Sequence, residues 1–319
     1  MLFMNYSLIV PLFNEQDHIE NLNKEILSIT NQLTTDNRKF EIIYIDDCSK
    51  DKTFLKIKEI LDKEETVIVA RNKWNLGQSG ALFNGIQISS NENVILLDGD
   101  GQNDPADINK MIKEFEKGYD LVHGYRDKRK DPYLAKTIPS KFANQLVRFF
   151  SKSKIIDHGC SLKIIKKKYL MSDIYWGDFH RLLAARLSNI DLKILQIETN
   201  HRERRFGKSN YGYSRVWRVL IDLVYLYLFQ NAKNNNFYVI GFAGLLSLLF
   251  GFSSIIFMFW LKIFKGVSFI QTPLPILIVF SILSSLIFFS IMFISQLLFE
   301  IKNKLKSSLD NEFEVIKKN

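Results

Sequence analysis

Asn93-Val94-Ile95-Leu96-Leu97-Asp98-Gly99-Asp100-Gly101-Gln102-Asn103-Asp104-Pro105 runs from apolar residues into two acids one residue apart, then into a helix start. Val94–Leu97 is apolar throughout, which reads as a short strand buried on both faces. Asp104 as N-cap and Pro105 in the first turn predict a helix directly afterwards. Strand, acidic turn and helix in that order mark a sheet whose chemistry sits at the carboxyl ends of its strands.

The same alternation extends in both directions. Upstream, Tyr6–Val10, Glu41–Ile45 and Thr66–Ala70 read as strands. Between them, Ile19, Leu22, Ile26 and Ile29, then Leu55, Ile57, Ile60 and Leu61, recur at helical spacing. Ser79–Ile88 is a short helix rich in small residues, in which Gly77, Gly80 and Ala81 read first as close packing against the sheet. Downstream, Leu121–Val122 belongs to a fifth strand. Strands alternating with helices imply an α/β domain with a largely parallel sheet and helices on both faces.

Beyond residue 235 the composition changes. Phe237–Leu261 carries no charge over 25 residues, and Pro273–Phe299 carries none either. At about 1.5 Å of rise per residue either is long enough to cross a hydrocarbon core of about 30 Å. Just upstream, Arg215, Arg218 and Asp222 share one stripe of Arg215–Gln230. That periodicity fits an interfacial helix and an amphipathic core helix equally. The outer loop between the spans holds only Lys262 and Lys265, while Lys302, Lys304, Lys306, Lys317 and Lys318 follow them. This asymmetry predicts both termini and the large domain in the cytoplasm of a membrane-bound protein. The expected organisation is a catalytic domain at 1–212 and an interfacial segment at 213–236. Two transmembrane helices at 237–299 and a cytoplasmic tail at 300–319 complete it.

The net charge of +9 has a local source, because residues 126–168 hold thirteen Lys/Arg against Asp127, Asp131 and Asp157. Beside membrane spans, such a block predicts phosphates or lipid headgroups as partners. No zinc, helix-turn-helix or RNA-binding signature is present, so nucleic acid is not expected. Cys48 and Cys160 have no metal or disulfide spacing. Met1–Leu12 lacks the basic start of a secretory leader.

Asp98 and Asp100 could hold a hard divalent cation against a diphosphate. Alone, the pair reads equally well as loop caps. It accompanies Val10-Pro11-Leu12-Phe13-Asn14-Glu15, Asp46-Asp47-Cys48-Ser49-Lys50-Asp51 and Asn75-Leu76-Gly77-Gln78-Ser79-Gly80-Ala81. In order and spacing these motifs resemble the family-2 inverting glycosyltransferases of GT-A fold. Gly124-Tyr125-Arg126, Asp157-His158-Gly159-Cys160, His180-Arg181 and His201-Arg202-Glu203-Arg204-Arg205-Phe206-Gly207-Lys208-Ser209-Asn210 narrow the resemblance to the dolichyl-phosphate mannose synthase and polyprenyl-phosphate glycosyltransferase branch.

The resemblance implies transfer of a sugar from a nucleotide-sugar donor to polyprenyl phosphate, undecaprenyl or dolichyl, with inversion, at the cytoplasmic membrane face. It implies Pro11, Phe13, Glu15 and Asp47 around the nucleoside and Asp98 near the ribose and sugar. Asp100 and Gln102 would bind Mg²⁺ or Mn²⁺. Arg126, Arg202, Arg204 and Ser209 would contact phosphates, and Asp157 would orient the attack. Phe13 stands where the family usually has Tyr, keeping a stacking face and losing a hydroxyl. Asn210 stands where Lys is commoner. The arginines of 202–205 read equally as a membrane-surface patch, and His180 and His201 as structural residues. A homo-oligomer is compatible with the sequence. Three other readings are a transferase acting on a polysaccharide or a non-phosphorylated lipid, an inactive scaffold homologue, and a nucleotidyltransferase. The absence of a Gln-x-x-Arg-Trp motif counts against the polysaccharide version, the intact acidic motifs against the scaffold, and the lack of a glycine-rich N-terminal phosphate loop against the last.

Overall fold

The computed structural model describes residues 4–35, 37–126, 155–170, 179–187, 191–202, 237–305 and 313–316. The chain divides into two compact units, Met1–Leu226 with Asn311–Asn319, and Tyr227–Asp310.

In the first unit, β1 (Tyr6–Leu12), β2 (Phe40–Asp46), β3 (Val67–Asn72), β4 (Asn93–Leu96), β5 (Leu121–Tyr125), β6 (Lys163–Lys166), β7 (Ile194–Glu198) and β8 (Phe313–Ile316) form one sheet. Its order is β7-β5-β6-β4-β1-β2-β3-β8. Pairing is parallel except that β6 runs antiparallel to β4 and β5, and β8 antiparallel to β3. The helices are α1 (Ile19–Leu33), α2 (Thr53–Lys63), α3 (Gly77–Ile88), α4 (Asp107–Phe115) and α5 (Phe179–Leu187). β1 shows why both faces are covered. Leu8, Val10 and Leu12 pack with Ile26, Ile57 and Met111 from α1, α2 and α4. Ile9 packs on the other side with Leu82 and Ile86 of α3 and Leu183 of α5. Every residue of β1 is buried, as an apolar central strand of a two-faced sheet requires.

Three features differ from the sequence expectation. The fourth helix begins at Asp107, and the Asp104 carboxylate instead accepts the Ala106 N–H at 3.0 Å in the preceding turn. The helix-packing role expected of Gly77, Gly80 and Ala81 falls most sharply on Gly85. A Cβ there would meet Ile9 Cγ2 at 2.4 Å and Ile45 Cγ1 at 3.2 Å. The basic block of 126–168 is not all surface, because Lys163 opens the central strand β6 at 2% exposure. Burial pushes its ammonium pKa down, and Lys166 pairs with Asp120 at 2.6 Å.

The second unit is a helical pair, α6 (Phe237–Lys265) and α7 (Leu274–Leu305). Gly241 lies against Met292 and Gly251 against Ser281, a descending register that makes the pair antiparallel. Ser247 Oγ donates to the Ser281 carbonyl at 3.0 Å. Small residues at the seam allow close helix approach without a polar core. The outer faces are apolar, with Phe250, Ile256, Phe257 and Leu286 exposed. Ile240–Lys265 and Leu274–Ser295 are each long and apolar enough to cross a membrane.

Candidate active site

β1, β2 and β4 are neighbours and parallel, so their carboxyl ends open on one edge of the sheet. Pro11 is buried within β1, and Phe13, just beyond it, is 40% exposed. Asn14 and Cys48 both take positive φ, 57° and 61°, turning the chain sharply after β1 and β2. The two turns are laced together. Asn14 N–H donates to Ser49 Oγ at 3.0 Å, Lys50 N–H to Asn14 Oδ1 at 2.8 Å, and Glu15 N–H to Thr53 Oγ1 at 2.8 Å.

Two adjacent acids end β2, and they face different surroundings. Asp46 is fully buried and bonded to Arg71 at 3.1 Å; burial pushes its carboxyl pKa up. Asp47 Oδ1 accepts from Asn72 Nδ2 at 2.7 Å and from the Leu76 N–H at 2.8 Å.

After β4, Gly99 sits so close to β1 that a Cβ would meet Leu12 Cδ2 at 2.4 Å and the Pro11 carbonyl at 2.7 Å. Only glycine allows this approach, and it fixes Asp98 and Asp100 beside the end of β1. Asp98 Oδ1 accepts a hydrogen bond from Gln78 Nε2 at the start of α3. Asp100 Oδ1 accepts the Gln102 N–H at 3.1 Å. Both aspartates are half-buried at the rim.

Behind Asp98 lies a polar cavity of about 30 Å³, lined in part by Gln78, His158, Cys160, Lys163 and His180. That is room for one water. The Lys163 ammonium donates to the Cys160 carbonyl and so ties down the loop after Asp157. Next to the His158-Gly159 wall of the cavity, Arg126 and Asp157 form a bidentate pair, Nε–Oδ2 at 2.6 Å and Nη2–Oδ1 at 3.1 Å. Asp157 is 4% exposed, and its Oδ1 also accepts the Gly159 N–H at 3.1 Å. The pair therefore holds a guanidinium rigidly, with Nη1 3.5 Å from His201 Nε2.

Pro11, Phe13, Glu15, Asp47, Asp98, Asp100 and Gln102 thus gather on one sheet edge, and the Arg126–Asp157 pair adjoins the cavity through Gly159. Arg202 bonds Glu25 at 2.6 Å and Asp104 at 2.8 Å. Its backbone N–H donates to the Gln102 carbonyl at 2.8 Å, pinning the strap after β7 onto the loop after Asp100. Its charge is engaged by protein carboxylates. Arg204, Ser209 and the expected interfacial segment lie outside the described residues. Gln78, which stands in one of the motifs quoted above, and Asn72 and Lys163 are given no role in the sequence reading. For Gln78 and Lys163 a signal exists: a polar residue at a helix start facing an acidic turn, and a Lys inside an apolar alternation.

The Glycosyl transferase family 2 model matches residues 7–175. The dodecaprenyl-phosphate galacturonate synthase of Rhizobium johnstonii is 31% identical over 246 residues, covering 76% of this chain and 72% of that one. The undecaprenyl-phosphate 4-deoxy-4-formamido-L-arabinose transferase of Pectobacterium carotovorum is 28% identical over 221 residues, covering 69% of this chain and 66% of that one, just under two thirds. Among solved structures, glucosyl-3-phosphoglycerate synthase from Mycobacterium tuberculosis, in complex with Mn²⁺, UDP-glucose and phosphoglyceric acid, superposes with a TM-score of 0.54 at 14% identity. That likeness covers 71% of this chain and 79% of the other and concerns the fold. Sheet, strand-end carboxylates and a family match over more than half of the residues agree: the chain belongs to glycosyl transferase family 2.

Proposed function

We propose that this glycosyltransferase moves a sugar from a nucleoside-diphosphate sugar to a polyprenyl phosphate, with inversion, at the cytoplasmic face of a membrane. The observation that carries the reading is one chain joining a strand-end Asp98-Gly99-Asp100 turn to two helices of membrane-crossing length. The relatives named for dodecaprenyl and undecaprenyl phosphate favour the same acceptor class.

A divalent cation, Mg²⁺ or Mn²⁺, fits the donor set. Asp100 and Gln102 offer hard oxygens at the rim, beside Asp98. Among the described residues no three acidic, His or Cys side chains form a complete cage. Such a half-site suits a metal that takes its remaining ligands from substrate phosphates. When bound, the cation would neutralise charge developing on the departing diphosphate.

The chain's own residues do the rest. Asp47, Pro11, Phe13 and Glu15 hold the nucleoside, and Asp98 the ribose and donor sugar. Asp157 fixes the Arg126 guanidinium toward phosphate, a preorganised positive group that needs no rearrangement during reaction. Arg204 and Ser209 belong to the loop assigned to the acceptor phosphate. An acceptor phosphate oxygen attacks the anomeric carbon, the bond to the diphosphate breaks, and the nucleoside diphosphate departs. A phosphate monoester is already ionised near pH 7, so no strong base is required, and Asp157 serves as orienter through Arg126.

Topology is supported by connectivity as well as charge. β8 follows both apolar helices and still pairs with β3. Two crossings return the chain to the side it left, and the flanking lysines favour the cytoplasm. We assign 1–212 to catalysis, 213–236 to the interface, 237–299 to the spans and 300–319 to the tail, of which β8 joins the catalytic sheet. The test is to incubate membranes holding the protein with a panel of labelled nucleotide-sugars. Organic-extractable label from one donor is expected; label that stays aqueous with every donor overturns the reading.

A further inference from the structure

Among the described residues of the sheet unit, the exposed large apolar side chains are Phe13, Leu55, Trp74 and Ile156. The first three follow the carboxyl ends of the adjacent strands β1, β2 and β3. Phe13 has a task in the donor reading. Leu55, 59% exposed in the first turn of α2, and Trp74, 52% exposed after β3, have none. The turns that carry these two form one surface. Arg71 Nη2 donates to the Ser49 carbonyl at 3.3 Å, and its guanidinium lies 4.2 Å from the centroid of the Phe54 ring. Asn75 Nδ2 donates to the Asp47 carbonyl at 3.2 Å. The corner is basic as well as apolar. Lys50, Lys52 and Lys73 are exposed there. The acid between the first two, Asp51, is engaged: Oδ1 accepts the Thr53 N–H at 2.9 Å and Oδ2 the Gln16 N–H at 3.2 Å. Single exposed apolar residues are ordinary. An indole and a leucine interleaved with lysines at one corner are the composition of an amphipathic surface that meets lipid headgroups.

We infer that this β2–β3 corner is a docking surface for anionic lipid headgroups, with Trp74 and Leu55 at the headgroup boundary and Lys50, Lys52 and Lys73 facing the lipid charge. The inference rests on the membrane reading above. It goes beyond that reading by naming a face of the catalytic unit that meets the bilayer. Connectivity says which surface is at hand. The chain that leaves α7 enters the sheet at this corner, because β8 runs antiparallel to β3 with Phe313 opposite Asn72. Only residues 306–312 link the helix to that strand. The chemistry fits the same occupant. Lysines near an anionic leaflet are drawn to it, and they keep their ammonium groups in water while their stems cover apolar surface. Docking here leaves the reacting edge free. β1 and β2 separate β3 from β4, so the Asp98-Gly99-Asp100 turn stands three strand spacings, about 14 Å, to the side. A corner seated on the headgroups keeps the edge beside it near lipid phosphate.

The test places full-length protein in nanodiscs of phosphatidylcholine and phosphatidylglycerol, with plain or brominated acyl chains, and reads tryptophan emission. Subtracting the emission of Trp74→Phe from that of the wild type isolates Trp74 from Trp176, Trp217 and Trp260. Brominated lipid is expected to cut the Trp74 signal about twofold or more, as for an indole at the membrane interface. The loss should disappear in discs of phosphatidylcholine alone. It should also disappear when Lys52→Glu and Lys73→Glu are combined, measured with and without Trp74→Phe. Persistence of the loss in either case overturns the assignment to anionic lipid. A Trp74 signal that brominated lipid leaves unchanged overturns the docking itself. Quenching by UDP or GDP would then give Trp74 to the donor site, and quenching by aqueous iodide would leave it in solvent. Protein that elutes apart from the discs in size exclusion removes the membrane reading and this inference with it. The comparison of the two lipid mixtures needs no charge variant to fold.

Discussion

His123 lies inside β5, fully buried, with Nε2 2.8 Å from the Asp157 carbonyl and Nδ1 without a hydrogen-bond partner among the described residues. Burial, with Lys163 nearby, drives its pKa down to about 3. The unfolded chain takes up that proton near pH 6.5 while the folded chain does not. This contribution to stability is therefore whole above about pH 6.5 and is lost as pH falls toward 3, at about 1.4 kcal/mol per unit. Denaturant midpoints measured between pH 7 and 4 should fall less steeply in His123→Gln than in the wild type; parallel curves would contradict the assignment. Asp157 carries a different cost. Asp157→Ala removes the buried carboxylate that pairs with the half-buried Arg126 guanidinium, and losing hydrogen bonds to a charged group costs about 1.5–3 kcal/mol, readable as a lowered unfolding midpoint. Asp100→Asn should leave that midpoint in place and abolish metal-dependent transfer. Undiminished turnover of this variant in excess chelator would remove the metal assignment. The strand-end acids are legible in sequence because they follow apolar runs directly. Asn72, Asn84 and Lys163 are not assigned roles there, because what makes them polar participants is a partner far away along the chain.

At the scale of elements, β1 to β5 are legible because each is an apolar run between turn residues, and α1 and α2 because their apolar positions recur at helical spacing. β6 is not: Lys163 and Lys166 bracket two isoleucines inside a basic block, which reads as charge until the sheet closes around it. β8 is equally hidden in Phe313-Glu314-Val315-Ile316, four paired residues that take their meaning from β3. The helix α3 does most to shape the site, since Gln78 holds Asp98, Ser79 meets His180 at 3.0 Å, and Asn84 donates to Asn72, which in turn bonds Asp47. Its distance from the sheet is set by Gly85. Gly85→Ala gains helix propensity, about 1 kcal/mol, yet must displace Ile9 and Ile45, and overpacking of this kind costs about 1–3 kcal/mol. Net destabilisation in chemical denaturation, together with weaker donor binding, is the expected result. A stabilised variant would show that the helix has room to move.

For the whole molecule, the sequence separates a sheet domain from an apolar pair, and the structure adds that Phe313–Ile316, which follow that pair, return to the sheet. A reporter fused after Asn319 should accordingly be reached by membrane-impermeant reagents from the cytoplasmic side alone, and labelling from the outer face would reverse the proposed topology. The central claim is that the nucleophile is a lipid phosphate. It explains why one chain pairs donor carboxylates and a preorganised Arg126 with two membrane-length helices, a combination that a soluble acceptor does not demand. The most direct measurement compares polyprenyl phosphate with the matching polyprenol in detergent, using the protein, its labelled nucleotide-sugar donor and Mg²⁺. Transfer to the phosphate and none above background to the alcohol is the predicted result; equal transfer to the polyprenol would contradict it.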